Sequence, residues 1–330
     1  MDIFERLQIA HPSKPVLLFA PLEGVGTPTL RTLLDEIGGM DLLATGFIRI
    51  TNPRQRIQPP LRHSRPLQIQ LMASSSRTLS ACVEHQKKLQ VFLDSDWLDL
   101  NSGCPSRRVN RHQAGAALLK KPLELREMIE ALRKVHPGPL SAKIRIGSKD
   151  SSEFPELLKA LADAPLDFLT IHARPTEALH EGPVAFECLT QAVAELPFPV
   201  VANGSIWSAA DALTMLHTTH ARGLMCGRGV LANPYLFHQI RAALAPQPGE
   251  AADDSVRLRA LYDFTVKLMQ RMQPETPGST LGVGAFKELG FWLSKNPLIG
   301  PDLFESLKRV LTWTDLENNV AAFWGARGLS

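Results

Sequence analysis

A regular alternation of short apolar runs with amphipathic stretches constrains this chain more than any other feature. Val16-Leu17-Leu18-Phe19-Ala20 is an apolar strand that stops at Pro21. Apolar spacing then predicts a helix over 28–37, strands over 41–45 and 67–71, and a helix over 78–92 with Leu79, Val83, Leu89 and Phe92 on one side. The pattern continues as strand 97–100 and helix 123–135, strand 140–146 and helix 153–162, strand 167–171 and helix 185–195. It closes with strand 199–202, helix 208–217 and strand 223–226. Strands alternating with helices in this way imply an α/β chain whose sheet is parallel, and eight such strands fit a (β/α)8 TIM barrel. Residues 245–254 read as a linker. Helical spacing returns over 256–272, 281–294, 301–312 and 315–324. The expected organisation is a barrel domain over 1–245 and a C-terminal helical domain over 246–330.

Composition narrows the class. The 330 residues are 44% hydrophobic and 21% charged, ordinary for a globular chain, and can bury a large core. No uncharged apolar run approaches the ~18 residues that span a bilayer, so no membrane association is expected. Cys82, Cys104, Cys188 and Cys226 lie far apart with no Cys-x-x-Cys pair. That argues against a metal site or a disulfide framework and fits a reducing cytoplasm. A net charge of +3 permits a polyanionic partner without demanding one.

Barrel active sites lie at the C-terminal ends of the strands, and polar residues fall there repeatedly. Pro21, Leu22 and Glu23 follow the first strand, Gln70 ends the third, and Asn101 and Cys104 follow the fourth. Lys143 and Arg145 lie on the fifth, His172 and Arg174 follow the sixth, Asn203, Gly204 and Ser205 the seventh, and Gly227 and Arg228 the eighth. Cys104 sits between Gly103 and Pro105, ahead of a segment holding Arg107, Arg108, Arg111, Lys120 and Lys121 and no acid before Leu123. A thiol beside a cationic loop suits acid–base or nucleophilic chemistry on an anionic substrate. The alternative is a small buried cysteine next to a solvated loop.

Strand alternation puts Lys143 and Arg145 on one face, opposite Ile144 and Ile146. A cation inside an apolar strand needs negative charge nearby. Either a bound anionic cofactor or an internal pair with a carboxylate such as Asp99 would supply it. The turns Asn203-Gly204-Ser205 and Gly227-Arg228-Gly229 let backbone amides approach an anion, and barrels often place a phosphate site after the seventh and eighth strands.

Asn101-Ser102-Gly103-Cys104-Pro105, followed by a basic loop and Gly115-Ala116-Ala117-Leu118-Leu119, resembles the signature of the tRNA-dihydrouridine synthases. Ala20-Pro21-Leu22-Glu23-Gly24-Val25 resembles that family's opening flavin motif, with Leu22 in place of methionine. Gln70 matches its FMN-binding glutamine, Lys143 its flavin lysine and His172 the histidine on the FMN phosphate. Asn203-Gly204 and Gly227-Arg228 match its phosphate loops, and Cys104 its proton-donating cysteine. The resemblance implies FMN as cofactor, NADPH as reductant and a uridine in tRNA as substrate, handled by a monomer. Departures are Ser205, where an acid is usual, Gly26-Thr27-Pro28, and the segment 175–183. Glu23 and Phe47-Ile48-Arg49-Ile50 resemble the bacterial C-type subgroup, which modifies U16, although Gly46 stands where its members carry glutamate.

The tRNA would meet two arginine-rich segments. Arg49, Arg54, Arg56, Arg62 and Arg65 lie in a stretch without an acid, and Arg107 and Arg108 follow Cys104. Arginine contacts to phosphate give salt-dependent, sequence-independent affinity. Arg49, Arg54, Arg56, Arg62, Arg107 and Arg108, with Asn101, Arg145 and Arg174 at the strand ends, are the expected substrate-binding residues. Two other activities fit the same residues: an FMN barrel oxidoreductase acting on a free pyrimidine, and a tRNA-binding relative without catalysis. The first leaves the arginine segments without a partner.

Overall fold

The computed structural model describes residues 2–6, 14–106, 111–247, 252–276 and 279–329. The strands are β1 (Val16–Phe19), β2 (Leu43–Ala44), β3 (Ile48–Arg49), β4 (Leu67–Met72), β5 (Trp97–Ser102), β6 (Leu140–Arg145), β7 (Phe168–His172), β8 (Val200–Asn203) and β9 (Gly223–Cys226). Their order is β1-β9-β8-β7-β6-β5-β4-β2, and every pairing is parallel. A bridge between Leu18 and Leu42 and a 2.9 Å bond from the Phe19 amide to the Leu42 carbonyl nearly close the ring. The result is an eight-stranded TIM-like barrel. The extra strand β3 pairs with the end of β4, off this path, and carries Arg49.

Helices α1 (Ile3–Arg6), α2 (Pro28–Ile37), α3 (Ser76–Lys88), α4 (Pro122–Val135), α5 (Phe154–Ala162), α6 (Phe186–Glu195) and α7 (Ala209–Thr219) interleave with the strands. After β9 come α8 (Arg228–Ala232), α9 (Leu236–Ala243), α10 (Asp254–Met272), α11 (Val283–Leu293), α12 (Asp302–Leu307) and α13 (Trp313–Gly325). Local chemistry sets several boundaries. Thr27 caps α2 by accepting from the Leu30 amide, Pro28 opens the helix, and Gly38 leaves it at φ 88°. Two expected helices are shorter than apolar spacing suggested. The 78–92 helix stops at Lys88, because Gln90 turns left-handed at φ 57°, and Leu89 is 57% exposed rather than part of the buried side. The 301–312 helix stops at Leu307, and Thr312 instead caps α13.

The chain divides into two compact units. One comprises Met1–Pro21, Met40–Ile206 and Ala210–Cys226, and so holds every strand. The other comprises Leu22–Gly39, Trp207–Ala209 and Gly227–Ser330. In the first, Phe4 packs on Trp97 and Phe168, with ring centroids 6.0 and 5.0 Å away. Both partners begin their strands, so α1 plugs the N-terminal mouth with an apolar cluster that includes Val16, Leu18, Val201 and Met225. Polar chemistry is left to the opposite end. In the second unit, α2 packs on α10, and Arg271 donates to both carboxylate oxygens of Glu36 at 2.7 and 2.9 Å. Phe286 and Trp313 meet edge-on, and Asn296 donates to the Ala232 carbonyl at 3.1 Å.

Candidate active site

The inward positions of the strands change character from bottom to top. Trp97, Asp99 and Asn101 alternate along β5, Ser141, Lys143 and Arg145 along β6, and Phe168, Thr170 and His172 along β7. Register sets Asn101 beside Lys143, Lys143 beside Thr170, and His172 beside Asn203. An apolar floor therefore supports a polar ring at the C-terminal end.

A buried hydrogen-bond chain fixes the cysteine loop. Asp99, fully buried, accepts from Ser141 at 2.7 Å, Gln68 at 3.2 Å and Gln70 at 2.7 Å. The Gln70 carbonyl in turn accepts from the Asn101 amide at 2.7 Å. The Asn101 oxygen accepts from the backbone amides of Gly103 and Cys104 at 3.1 and 3.0 Å. Burial pushes the Asp99 carboxyl upward, with Ser141, Gln70 and the charge of Lys143 opposing it. The Cys104 side chain is half-buried and makes no disulfide. Arg145, only 2% exposed, donates to the Gly103 carbonyl and to the Pro175 carbonyl, each at 3.0 Å. It thereby ties the cysteine loop to the segment after β7.

Lys143 does not contact Asp99. Its ammonium donates to the Asn203 carbonyl oxygen at 3.1 Å, and Asn203 is oriented by its own bond to the Met225 carbonyl at 2.7 Å. Burial and the neighbouring Arg145 lower the lysine to about 8, against the pull of Asp99 and the Cys104 sulfur. His172 is pushed far down by burial and then by Lys143, Arg145, His180 and Arg174, so it is neutral. Its Nε2 is buried without a hydrogen-bond partner. Arg174 donates to the Gly182 carbonyl and, at 2.8 Å, to the Ser205 hydroxyl, while its Nη1 is likewise buried and unpartnered. Gly204, at φ 143°, passes close to His172: a Cβ there would lie 3.4 Å from the imidazole Cδ2. A concave rim with an unpartnered imidazole nitrogen, an unpartnered guanidinium nitrogen and a side-chain-free backbone suits a phosphate.

The remaining sequence candidates divide. Pro21 ends the barrel unit, while Leu22, Glu23, Gly227 and Arg228 belong to the second unit. There the Gly26 amide closes a turn onto the Leu22 carbonyl at 2.9 Å, and the Arg228 guanidinium stacks 5.4 Å above the Trp207 ring. In the 49–65 segment, Gln55 donates to the Arg49 carbonyl at 2.7 Å, and its own carbonyl accepts from Gln86 at 2.8 Å. This anchoring leaves Arg54 and Arg56 exposed. Arg62 is instead bound through both terminal nitrogens to the buried carboxylate of Asp96. Arg107 and Arg108 lie outside the described residues.

A profile of the dihydrouridine synthase (Dus) family matches residues 18–277. The chain belongs to the dihydrouridine synthase family. It is 32% identical over 244 residues to a tRNA-dihydrouridine(16) synthase of Shewanella oneidensis, covering 70% of this chain and 76% of that protein. It is 31% identical over 270 residues to one of Ralstonia nicotianae, covering 78% and 81%. Membership makes this chain an oxidoreductase that forms dihydrouridine in tRNA with FMN. Among solved structures, histamine dehydrogenase from Rhizobium sp. 4-9 matches with TM-score 0.52 and 13% identity over 80% of this chain and 51% of the other. At that identity the likeness concerns the fold alone, and this chain spans about half of that longer protein.

The donor set described above, a lysine at Lys143 and a rim of unpartnered nitrogens at His172 and Arg174 beside Gly204, suits the chemistry of a flavin mononucleotide. Asp99, Gln68 and Ser141 escaped the sequence reading as parts of the site. The signal was present: an acid alternating with Asn101 in an otherwise apolar strand has to find donors on neighbouring strands. Among the described residues no group of His, Cys, Asp or Glu could hold a metal ion, and no helix is long and apolar enough to cross a membrane.

Proposed function

We propose that the chain reduces U16 in the tRNA D-loop, with NADPH as reductant, Cys104 as proton donor and a monomer in the cytoplasm as the working form. The observation that carries the catalytic assignment is the chain of bonds from Asp99 through Gln70 and Asn101 to the Cys104 amide. Such a network orients one loop and is worth building only where loop position matters. FMN held at this site would supply the hydride that adds to C6 of the uracil, with NADPH as the source of its electrons. Cys104 would give its thiol proton to C5 of the uracil. Lys143 would stabilise negative charge on the flavin edge, and His172, Arg174 and Gly204 would hold its phosphate. Arg145 keeps the Cys104 loop closed over the base. The names of the relatives support position 16. tRNA from a strain lacking this gene should have uridine at position 16 and regain dihydrouridine there on complementation; loss at another position would move the assignment.

The exposed arginines give a second expected result. Each phosphate contact contributes about 0.7–0.9 to the log–log salt slope of RNA binding. Replacing Arg54 and Arg56 with alanine should therefore lower the slope of tRNA affinity by about 1.4–1.8 between about 50 and 200 mM salt. Arg62 is left out of this pair, because removing it strands the Asp96 carboxylate. An unchanged slope would make the segment a solvated loop. The C-terminal helices are the other candidate tRNA surface.

A further inference from the structure

Beside the cysteine loop lies a cavity of about 730 Å3, within the size range of small-molecule sites. One wall is Pro105, Gln113, Ala117 and Lys120, and the other is Thr176, Glu177 and Leu179. Arg145 ties together the segments that lead into these walls, through the Gly103 and Pro175 carbonyls. The cavity therefore starts one residue beyond Cys104.

Both walls carry backbone strain. Gln113 and Leu179 adopt φ 55° and 50°, a region unfavourable to side chains with a Cβ. Outliers of this kind persist where surrounding structure holds them, commonly at ligand clamps. Leu179 is also 51% exposed, so the strain presents an apolar side chain to the cavity rather than burying it. Lys120 is exposed at the rim and has no ion-pair partner among the described residues, whereas Lys121 is paired with Glu124 at 3.0 Å. The chemistry is an apolar slot between Pro105, Ala117 and Leu179, polar edges at Gln113 and Glu177, and one available cation.

We propose that this cavity receives the base of the nucleotide next to the target uridine, with Lys120 on its phosphate. This occupant presupposes the tRNA reaction above. A uridine drawn out of its stack to reach Cys104 pulls its neighbours apart, and a neighbouring base then needs a surface to replace its lost stacking. The slot offers an apolar face, and Gln113 and Glu177 offer an acceptor and donor set for a base edge. The cation stands where the connecting phosphate would pass.

The test uses the FMN-loaded enzyme and tRNA transcripts assembled with an abasic residue on either side of the modified uridine. Leu179→Gly removes the slot's side chain and suits the left-handed backbone. On the intact transcript it should lower kcat/KM by about tenfold. One of the two abasic transcripts should lower wild-type kcat/KM by a similar factor, and the two changes together should cost no more than either alone. Lys120→Ala, at an exposed position, should flatten the salt dependence of kcat/KM. Reduction of the flavin by NADPH without RNA should be unchanged in both variants. Multiplicative losses, or no loss in Leu179→Gly, would overturn the assignment. Slower reduction by NADPH would give the cavity to the dinucleotide instead. A wild-type enzyme that forms no dihydrouridine in the intact transcript would remove the parent reading itself.

Discussion

Replacing Cys104 with alanine should leave the bound flavin reducible by NADPH while lowering tRNA reduction by about 10²–10⁴-fold, the usual cost of a lost general acid. The residue occupies a loop whose amide is held by Asn101 at 3.0 Å and whose Gly103 carbonyl is held by Arg145 at 3.0 Å. Neither bond involves the thiol, so the alanine variant should keep the loop in place. Stopped-flow absorbance of the reduced flavin, mixed with tRNA, reads the effect directly. Reoxidation at the wild-type rate would remove Cys104 from the mechanism. Asn101→Ala makes a useful contrast. It keeps the thiol but releases two backbone amides and the Gln70 carbonyl. Its loss of rate should come with a fall in thermal stability that Cys104→Ala does not show.

Replacing Lys143 with alanine should weaken FMN binding by about 10–100-fold, the value of a charge-assisted hydrogen bond in a buried site. The pH dependence supplies a sharper form of the same result. Burial and Arg145 lower this lysine from 10.5 to about 8. Only the protonated form attracts an anionic cofactor, so wild-type FMN affinity should be full below about 8 and fall as pH rises through it. Folding of the flavin-free protein should behave oppositely. The unfolded chain holds this proton up to a pKa of about 10.4, so between the two values it binds more protons than the folded chain and stability rises with pH. The alanine variant should lose both slopes. Fluorescence titration of FMN at several pH values, with melting curves of the flavin-free protein, separates them. Full flavin retention in the variant, with the wild-type pH profile, would place the cofactor elsewhere.

The two residues belong to two networks that meet at the C-terminal end of the barrel. One runs Asp99–Gln70–Asn101 to the cysteine loop, and the other Met225–Asn203 to Lys143. Each uses a side-chain amide as an intermediate, because an amide both donates and accepts and can pass orientation from a strand to a loop. Arg145 joins the first network to the segment after β7. Arg174 is held in a similar way, donating to the Gly182 carbonyl and the Ser205 hydroxyl.

Sequence alone determined the parts that depend on local spacing. The eight barrel strands follow from apolar runs bounded by turn residues, since a parallel strand covered on both faces must be apolar along its length. Cys104, Lys143 and His172 could be singled out as candidates because polar groups recur at the strand ends, where barrels gather their chemistry. Helix ends were less legible where a left-handed residue, Gln90, or a cap, Thr312, overrode periodicity. Only tertiary structure decided which polar side chains were already satisfied. Arg62 sits in a stretch free of acids, yet Asp96, distant in sequence, neutralises it. Lys143 could have been answered by a bound anion or by Asp99, but the barrel brings it to Asn203, two strands away, while Gln68, Gln70 and Ser141 take Asp99. Partners of this kind come from segments far apart in sequence, and the distance between two segments in space is not written in their separation along the chain.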